Sequence, residues 1–324
     1  MAEFINDSVI IDTSDATAAP ANGFTGVSDK TIDWATTLVT AQTSKAYDQI
    51  QACARQEPTL QFSTEAVGRA LSQIGLNGHC LKSAGTGANT SGKLGLAHYT
   101  HQLDNCGPAG RNNPATGFRA SVKDGHIILN SLSADAAGNA TCSFVCHAVS
   151  DGTNAPVAIT WGTAMPAAAT LTSDEMFGLY KCKVLGFETT AVSNVTINFG
   201  VQIVKPTIAN GTIWPTIVRV TKIQPTVTFT LTDPTLIDDM DSNANTGVPC
   251  TSTNTVFRFA KREPDGVFAS GSTGITVGVT GIAYATNLTG SGGADELEVT
   301  ITTREDVSTT TAPLVISTAA AMPA

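Results

Sequence analysis

Between Val195 and Ile203 every second residue is a bulky apolar one. Val195, Ile197, Phe199, Val201 and Ile203 alternate with polar or small residues. That period belongs to a strand with one buried and one wet face, and it cannot be laid on a helix. The same rhythm returns at Val227, Phe229 and Leu231, set between Thr226, Thr228, Thr230 and Thr232, and again at Leu297, Val299 and Ile301. Strands with one apolar and one Thr-rich face call for antiparallel sheets packed as a sandwich.

Other segments extend the β reading. Strands are expected at Thr31–Val39, His126–Leu129, Ala140–Val149, Val157–Trp161, Tyr180–Phe187, Ile217–Ile223, Val256–Phe259 and Ile275–Ala285. Turns at Glu263-Pro264-Asp265-Gly266 and Gly290-Ser291-Gly292-Gly293 separate the later ones. Pro215 and Pro225 cannot donate to a ladder, so Thr216–Gln224 is an edge or short strand. One helix is predicted. Phe62-Ser63-Thr64-Glu65 supplies a hydroxyl cap and an acid for the first turn, Val67, Leu71 and Ile74 form one stripe, and Gly75 ends it. A helix with a single stripe lies on a sheet.

Three stretches lack a period. Residues 1–30 read as an extended N-terminal arm, 76–120 as a long Gly- and Asn-rich loop or insertion, and 311–324 as a C-terminal tail. The main domain is then 31–310. Ends of this kind are ordered only where they are tied down, for which docking on neighbouring subunits is one route, and the long run reads as a functional loop or one that meets a neighbour.

Composition narrows the function. Only 14% of the 324 residues are charged, against ~25% in ordinary soluble domains. The net charge is −9 and Lys and Arg are not clustered, which argues against gripping a phosphate backbone. No apolar run is long enough for a transmembrane helix, and Met1–Asp7 has neither a basic nor an apolar signal region. The seven cysteines, Cys53, Cys80, Cys106, Cys142, Cys146, Cys182 and Cys250, are odd in number and scattered. They read mainly as small buried residues of a chain made in a reducing cytoplasm, with one or two disulfides still open.

The chain carries no complete motif for a chemical site. His98-x-x-His101 near Cys106, and Cys142-x3-Cys146-His147, have the residue types of a metal centre. On a strand, however, Cys142 and Cys146 share one face and His147 takes the other. The run Asp239–Cys250 spaces oxygen side chains as in a calcium loop, but its twelfth position is Cys250 rather than Glu. Nucleophile and phosphate-loop motifs are missing. The acids Asp124, Asp151, Asp233 and Asp265 sit in turns. The Asn139 and Asn194 glycosylation triplets are expected by chance in an Asn- and Thr-rich chain. No catalytic, cofactor-binding or metal-binding residue is assigned, and no enzyme activity is read.

Four segments carry a resemblance. They are Glu57-Pro58-Thr59-Leu60-Gln61-Phe62-Ser63-Thr64-Glu65 leading into a short helix, Asp124–Ala134, Ile213–Val220, and Gln224–Thr230, followed by a hairpin-rich Thr, Gly and Val region. Together, over residues 30–305, they resemble the major tail tube proteins of long-tailed bacteriophages. The resemblance implies a β-sandwich with a flanking helix, whose inner strands join into an oligomeric β-barrel. It implies hexameric rings stacked into a tube that conducts DNA, with loops and arms locking ring to ring. Segment 76–120 would be a decoration or an inter-ring arm. The implied partners are copies of the chain, other tail proteins and phage DNA passing without specific binding, with no membrane. The implied location is the virion tail, assembled in the host cytoplasm. A lumen of acids and hydroxyls suits a conduit that must not hold its cargo. The alternatives are another virion β-sandwich (terminator, decoration or baseplate), a carbohydrate-binding or adhesive β-sandwich, and a glycan-active enzyme whose acids meet only in the fold. Trp34, Trp161 and Trp214 lie far apart in sequence and form no evident sugar platform.

Overall fold

The structure, a computed structural model, describes residues 8–12, 23–24, 27–41, 50–74, 95–101, 116–122, 125–164, 176–206, 211–233, 235–236, 247–263, 268, 273–291, 294–304 and 312–323. In chain order the first strands are β1 (Ser8–Asp12), β2 (Gly23–Phe24), β3 (Val27–Asp33), β4 (Thr36–Ala41), β5 (Ile50–Gln56) and β6 (Thr59–Thr64). The helix α1 (Val67–Ile74) precedes β7 (Gly95–His101), β8 (Thr116–Val122), β9 (Gly125–Asp135), β10 (Thr141–Ala148) and β11 (Val157–Ala164). Next come β12 (Phe177–Leu179), β13 (Cys182–Val184), β14 (Phe187–Thr189), β15 (Val192–Asn198), β16 (Val201–Val204), β17 (Arg219–Ile223) and β18 (Thr226–Leu231). The last are β19 (Val248–Cys250), β20 (Val256–Lys261), β21 (Thr273–Val279), β22 (Gly281–Ser291), β23 (Ala294–Thr303) and β24 (Leu314–Ala321).

The described chain is mainly β, its sheets are antiparallel, and α1 is short. The largest sheet has nine strands in the order β19-β22-β23-β18-β15-β9-β10-β6-β3. Alternation places Leu60 and Phe62 of β6, Cys142 and Phe144 of β10, Val195 and Ile197 of β15, Val227 and Phe229 of β18, and Val299 and Ile301 of β23 in the core. A second sheet runs β14-β13-β20-β21-β24, with β12 also on β20, and it buries Phe257, Phe259, Ile275 and Val277. Phe229 and Phe257 meet edge to face with ring centroids 5.1 Å apart, so the apolar faces of these sheets share one core. Each such side chain removed from water is worth about 1.5–3 kcal/mol. A third sheet, β11-β8-β7-β1-β2, adds Val9, Ala120 and Val122 to that core. Among the described residues no sheet closes on itself. No helix of the described residues is long and apolar enough to cross a membrane.

The opposite face of the nine-stranded sheet is a plane of hydroxyls and amides. Strand register aligns Thr300, Thr228, Thr196, Ser133 and Thr141 in one row. A second row holds Thr302, Thr226, Asn198, Ser131, Ser143, Ser63 and Ser28. Neighbours in such rows satisfy each other: Asn194 Nδ2 donates to Thr230 Oγ1 at 3.0 Å. This is where the chain spends the polarity that most proteins supply as charge.

The helix forms where it is expected, with one amendment. Thr64 Oγ1 accepts from the Ala66 N–H at 3.1 Å, and Val67 and Leu71 are buried. Glu65 precedes the first helical residue, so no acid lies in the first turn. Gly75 lies outside the described residues.

Three stretches without a sequence period contain strands. Within the stretch read as an arm, β1 pairs with β7. Within the stretch read as a loop, β7 and β8 pair with each other. The stretch read as a tail contributes β24, paired with β21, and buries Leu314 and Met322. Short strands of mixed composition have no decisive local signal, and their partners across the sheet fix them.

Candidate assembly surface

Four expected strands are broken. Tyr180–Phe187 turns back at Leu185-Gly186 into the hairpin β13–β14, and Ile275–Ala285 changes sheet between β21 and β22. The other two breaks build the surface. The alternation at Val195–Ile203 runs through β15 and β16, but Gly200 bends the chain between them with φ 58°. The returning chain bends opposite, at Gln224-Pro225, between β17 and β18. The sheet pair Asn198–Thr226 resumes beyond the bend as Val201–Ile223. A Cβ at position 200 would stand 2.0 Å from the Gln224 carbonyl oxygen, so only glycine fits. Gln224 N–H donates to Gly200 O at 3.2 Å, and Pro225 has no N–H to lose.

The expected strand Thr31–Val39 breaks in the same way. β3 gives way to β4 at Trp34-Ala35, where Ala35 has φ 40°, and β5 returns to β6 through Glu57-Pro58. The pair Asp33–Thr59 resumes as Thr36–Gln56. The Asp33 carboxylate accepts from the Ala35 N–H at 3.0 Å and steadies its left-handed turn. Each hairpin thus leaves the sheet through a positive-φ residue and returns through a proline.

Beyond the bends, each hairpin is two strands wide. None of the residues of β4 and β5 whose exposure is described is buried, and Leu38 and Val39 are 57% and 55% exposed. In the other hairpin, Val201, Ile203, Val220 and Ile223 share one face, and Gln202, Val204, Arg219 and Lys222 the other. Thr216–Gln224 was expected to be an edge or short strand, and β17 is both. An isolated two-stranded hairpin is marginal in water, and its unpaired edges are ready to accept another strand.

A clasp joins the two hairpins. Arg55 of β5 donates through its guanidinium to the carbonyl of Lys205, which follows β16. The Lys205 side chain is 5% exposed; its Nζ donates to Glu57 O at 3.3 Å and stands 3.7 Å from Glu57 Oε2. Arg55 Nε lies 2.5 Å from the other carboxylate oxygen. The connection after Lys205 adds three bonds. Gln56 N–H donates to Ile213 O at 2.9 Å, Trp214 Nε1–H to Gln56 Oε1 at 3.2 Å, and Ser150 N–H to Pro215 O at 2.8 Å.

His147 of β10 lies beside this clasp, opposite His126 of β9 and Thr59 of β6. Its Nδ1 is buried without a hydrogen-bond partner among the described residues. Burial, and then the positive Lys205 and His126, push its pKa down to about 4. Burial also holds the Lys205 ammonium below its ordinary range, an effect that Glu57 opposes.

Other sequence candidates fall as follows. Cys142 and Cys146 are buried on the core face, away from His147, and burial pushes the Cys146 thiol up to about 12. Cys182 is pushed up to about 11. All five described cysteines are free thiols. Cys80, Cys106 and most of Asp239–Cys250 lie outside the described residues, as do the side chains of His98, His101 and Trp161. Trp34 and Trp214, distant in sequence, both bond to Gln56-Glu57. No protein-family model and no curated protein matches this chain. The surface therefore stands on its own geometry. Gly200, Ala35 and Lys205 belong to no motif of the sequence, and Glu57 stands there only as the first residue of a segment that carries the resemblance. One signal was available: Gln56-Glu57-Pro58-Thr59 and Gln224-Pro225-Thr226 both put proline just before a strand whose partner strand changes direction.

Proposed function

We propose that this protein is the subunit of a bacteriophage tail tube. It assembles into stacked hexameric rings whose channel conducts DNA, and it has no catalytic role. The two exposed, clasped hairpins carry this reading. β9 and β10 lie between β15 and β6 in the sheet, so the hairpins follow one another laterally as β17, β16, β5, β4. β4 and β16 lead away from the sheet, and β5 and β17 return to it. Directions therefore alternate across all four strands, and β4 of one copy meets β17 of the next antiparallel as well. With β16 also paired to β5 within each copy, a ring of such copies closes into a barrel and leaves no unpaired edge. In this reading the two large sheets form the β-sandwich outside that barrel.

The remaining features suit a conduit. A net charge of −9 without clustered Lys and Arg gives a phosphate backbone little to hold. The proposed location is the virion tail, and the proposed partners are copies of the chain, other tail proteins and passing DNA.

Negative-stain microscopy with sedimentation velocity tests the reading. Rings or tubes with a central channel are expected at high protein concentration. A monodisperse monomer under the same conditions overturns it.

A further inference from the structure

The strands of the two hairpins carry none of the chain's acid. β4, β5, β16 and β17 hold Arg55, Arg219 and Lys222 and no Asp or Glu, in a chain where acids outnumber bases 27 to 18. Between Glu188 and Asp233 the sequence has no acidic residue at all. We propose that the channel wall is lined with cations rather than acids, and that Arg219 and Lys222 meet the phosphates of the double-stranded DNA passing through it. This rests on the tail-tube reading and adds to it what the wall does.

Strand sidedness decides which residues face the channel. In a barrel each strand turns one face inward and the other outward. On β16–β17, Val201, Ile203 and Val220 are half-buried, Ile223 is 37% exposed, and Val201 packs on the hydrophobic core. That face therefore lies against the body of the chain. Gln202, Val204, Arg219 and Lys222, on the other face, are exposed and are left to the channel. Lys222 stands across from Gln202 and Arg219 from Val204, so both cations belong to one strand. Among the described residues neither forms an ion pair. Ring symmetry repeats them at the same height in every copy, as two bands of positive charge. The duplex opposite them carries one negative charge per about 1.7 Å of its axis. Two cations per copy do not make a grip, and salt screens them beyond about 8 Å. The contact is weak and ionic, one that a moving duplex can make and leave.

Lysine acetylation of assembled wild-type tubes, read by mass spectrometry with and without a short DNA duplex, tests the wall. Acetylation of Lys222 is expected to slow at least about threefold when the duplex is added in about 0.02 M salt, and to recover in about 0.3 M salt. Lys183, on β13 of the second sheet, is expected to react at one rate throughout. Tubes of an Arg219→Gln, Lys222→Gln double variant should bind the duplex roughly tenfold more weakly at low salt, by fluorescence anisotropy. Lys222 unshielded by the duplex, Lys183 shielded equally, or a variant that binds as the wild type does overturns the cation-lined wall and leaves the tube reading in place. A chain that forms no tubes overturns both. Should the variant not assemble, the shielding of Lys222 in wild-type tubes decides by itself.

Discussion

Lys205 and Glu57 are 148 positions apart in sequence, yet the Lys205 ammonium donates to the Glu57 carbonyl at 3.3 Å. The contact ties the exit of one hairpin to the root of the other. Burying an ammonium costs nearly what its ion pair returns. Lys205→Met is therefore expected to change the unfolding free energy by less than about 1 kcal/mol while lowering exchange protection at Gln56. Urea unfolding and hydrogen exchange of the same sample check both halves.

Stability should fall in mild acid. Burial holds the pKa of folded His147 at about 4, below the ordinary histidine value of 6.5. Between these values the unfolded chain binds the extra proton, so stability is full above pH 6.5 and is lost as pH falls towards 4. The sum is at most about 3 kcal/mol. Urea midpoints at pH 7, 5.5 and 4 measure it, and a flat profile would show that His147 takes up protons equally in both states.

Gly200 is expected to be irreplaceable. Gly200→Ala meets both a positive φ and the Gln224 carbonyl, and it should cost about 3 kcal/mol or more. At Gly211, also at positive φ but with open space around it, alanine should cost only about 1 kcal/mol. Thermal unfolding of the pair separates the clash from the backbone preference.

The hairpin carrying Leu38 and Val39 should matter for assembly and little for folding. A Leu38→Glu, Val39→Glu double variant removes apolar surface that the single chain leaves in water. Its unfolding free energy should stay within about 0.5 kcal/mol of wild type. Rings, where the wild type forms them, should be lost in sedimentation and microscopy. Intact rings would remove this hairpin from the contact.

Local pattern made much of the β structure readable. The alternations at Val227–Leu231 and Leu297–Ile301 became paired strands of one sheet, and the cap at Thr64 opened the helix. Continuity was less readable. Val195–Ile203 is one run in sequence and two strands in space, because alternation records which face a side chain takes and not the direction of the chain. Ile275–Ala285 hides a switch at Thr280 from one sheet to another for the same reason. The clasp left no local trace, since Arg55, Glu57, His147 and Lys205 have ordinary neighbours in sequence.

By itself, the sequence determined an antiparallel β protein with apolar faces turned inward and Thr-rich faces outward, since side-chain period and the solvation of hydroxyls are properties of a few adjacent residues. Tertiary structure alone decided which strands leave the sheet, how the two hairpins are held together, and that a histidine is enclosed beside a buried lysine. Those outcomes depend on groups that are not neighbours in the chain, 148 positions apart in the case of Lys205 and Glu57, and their proximity follows only from the order in which the strands pair.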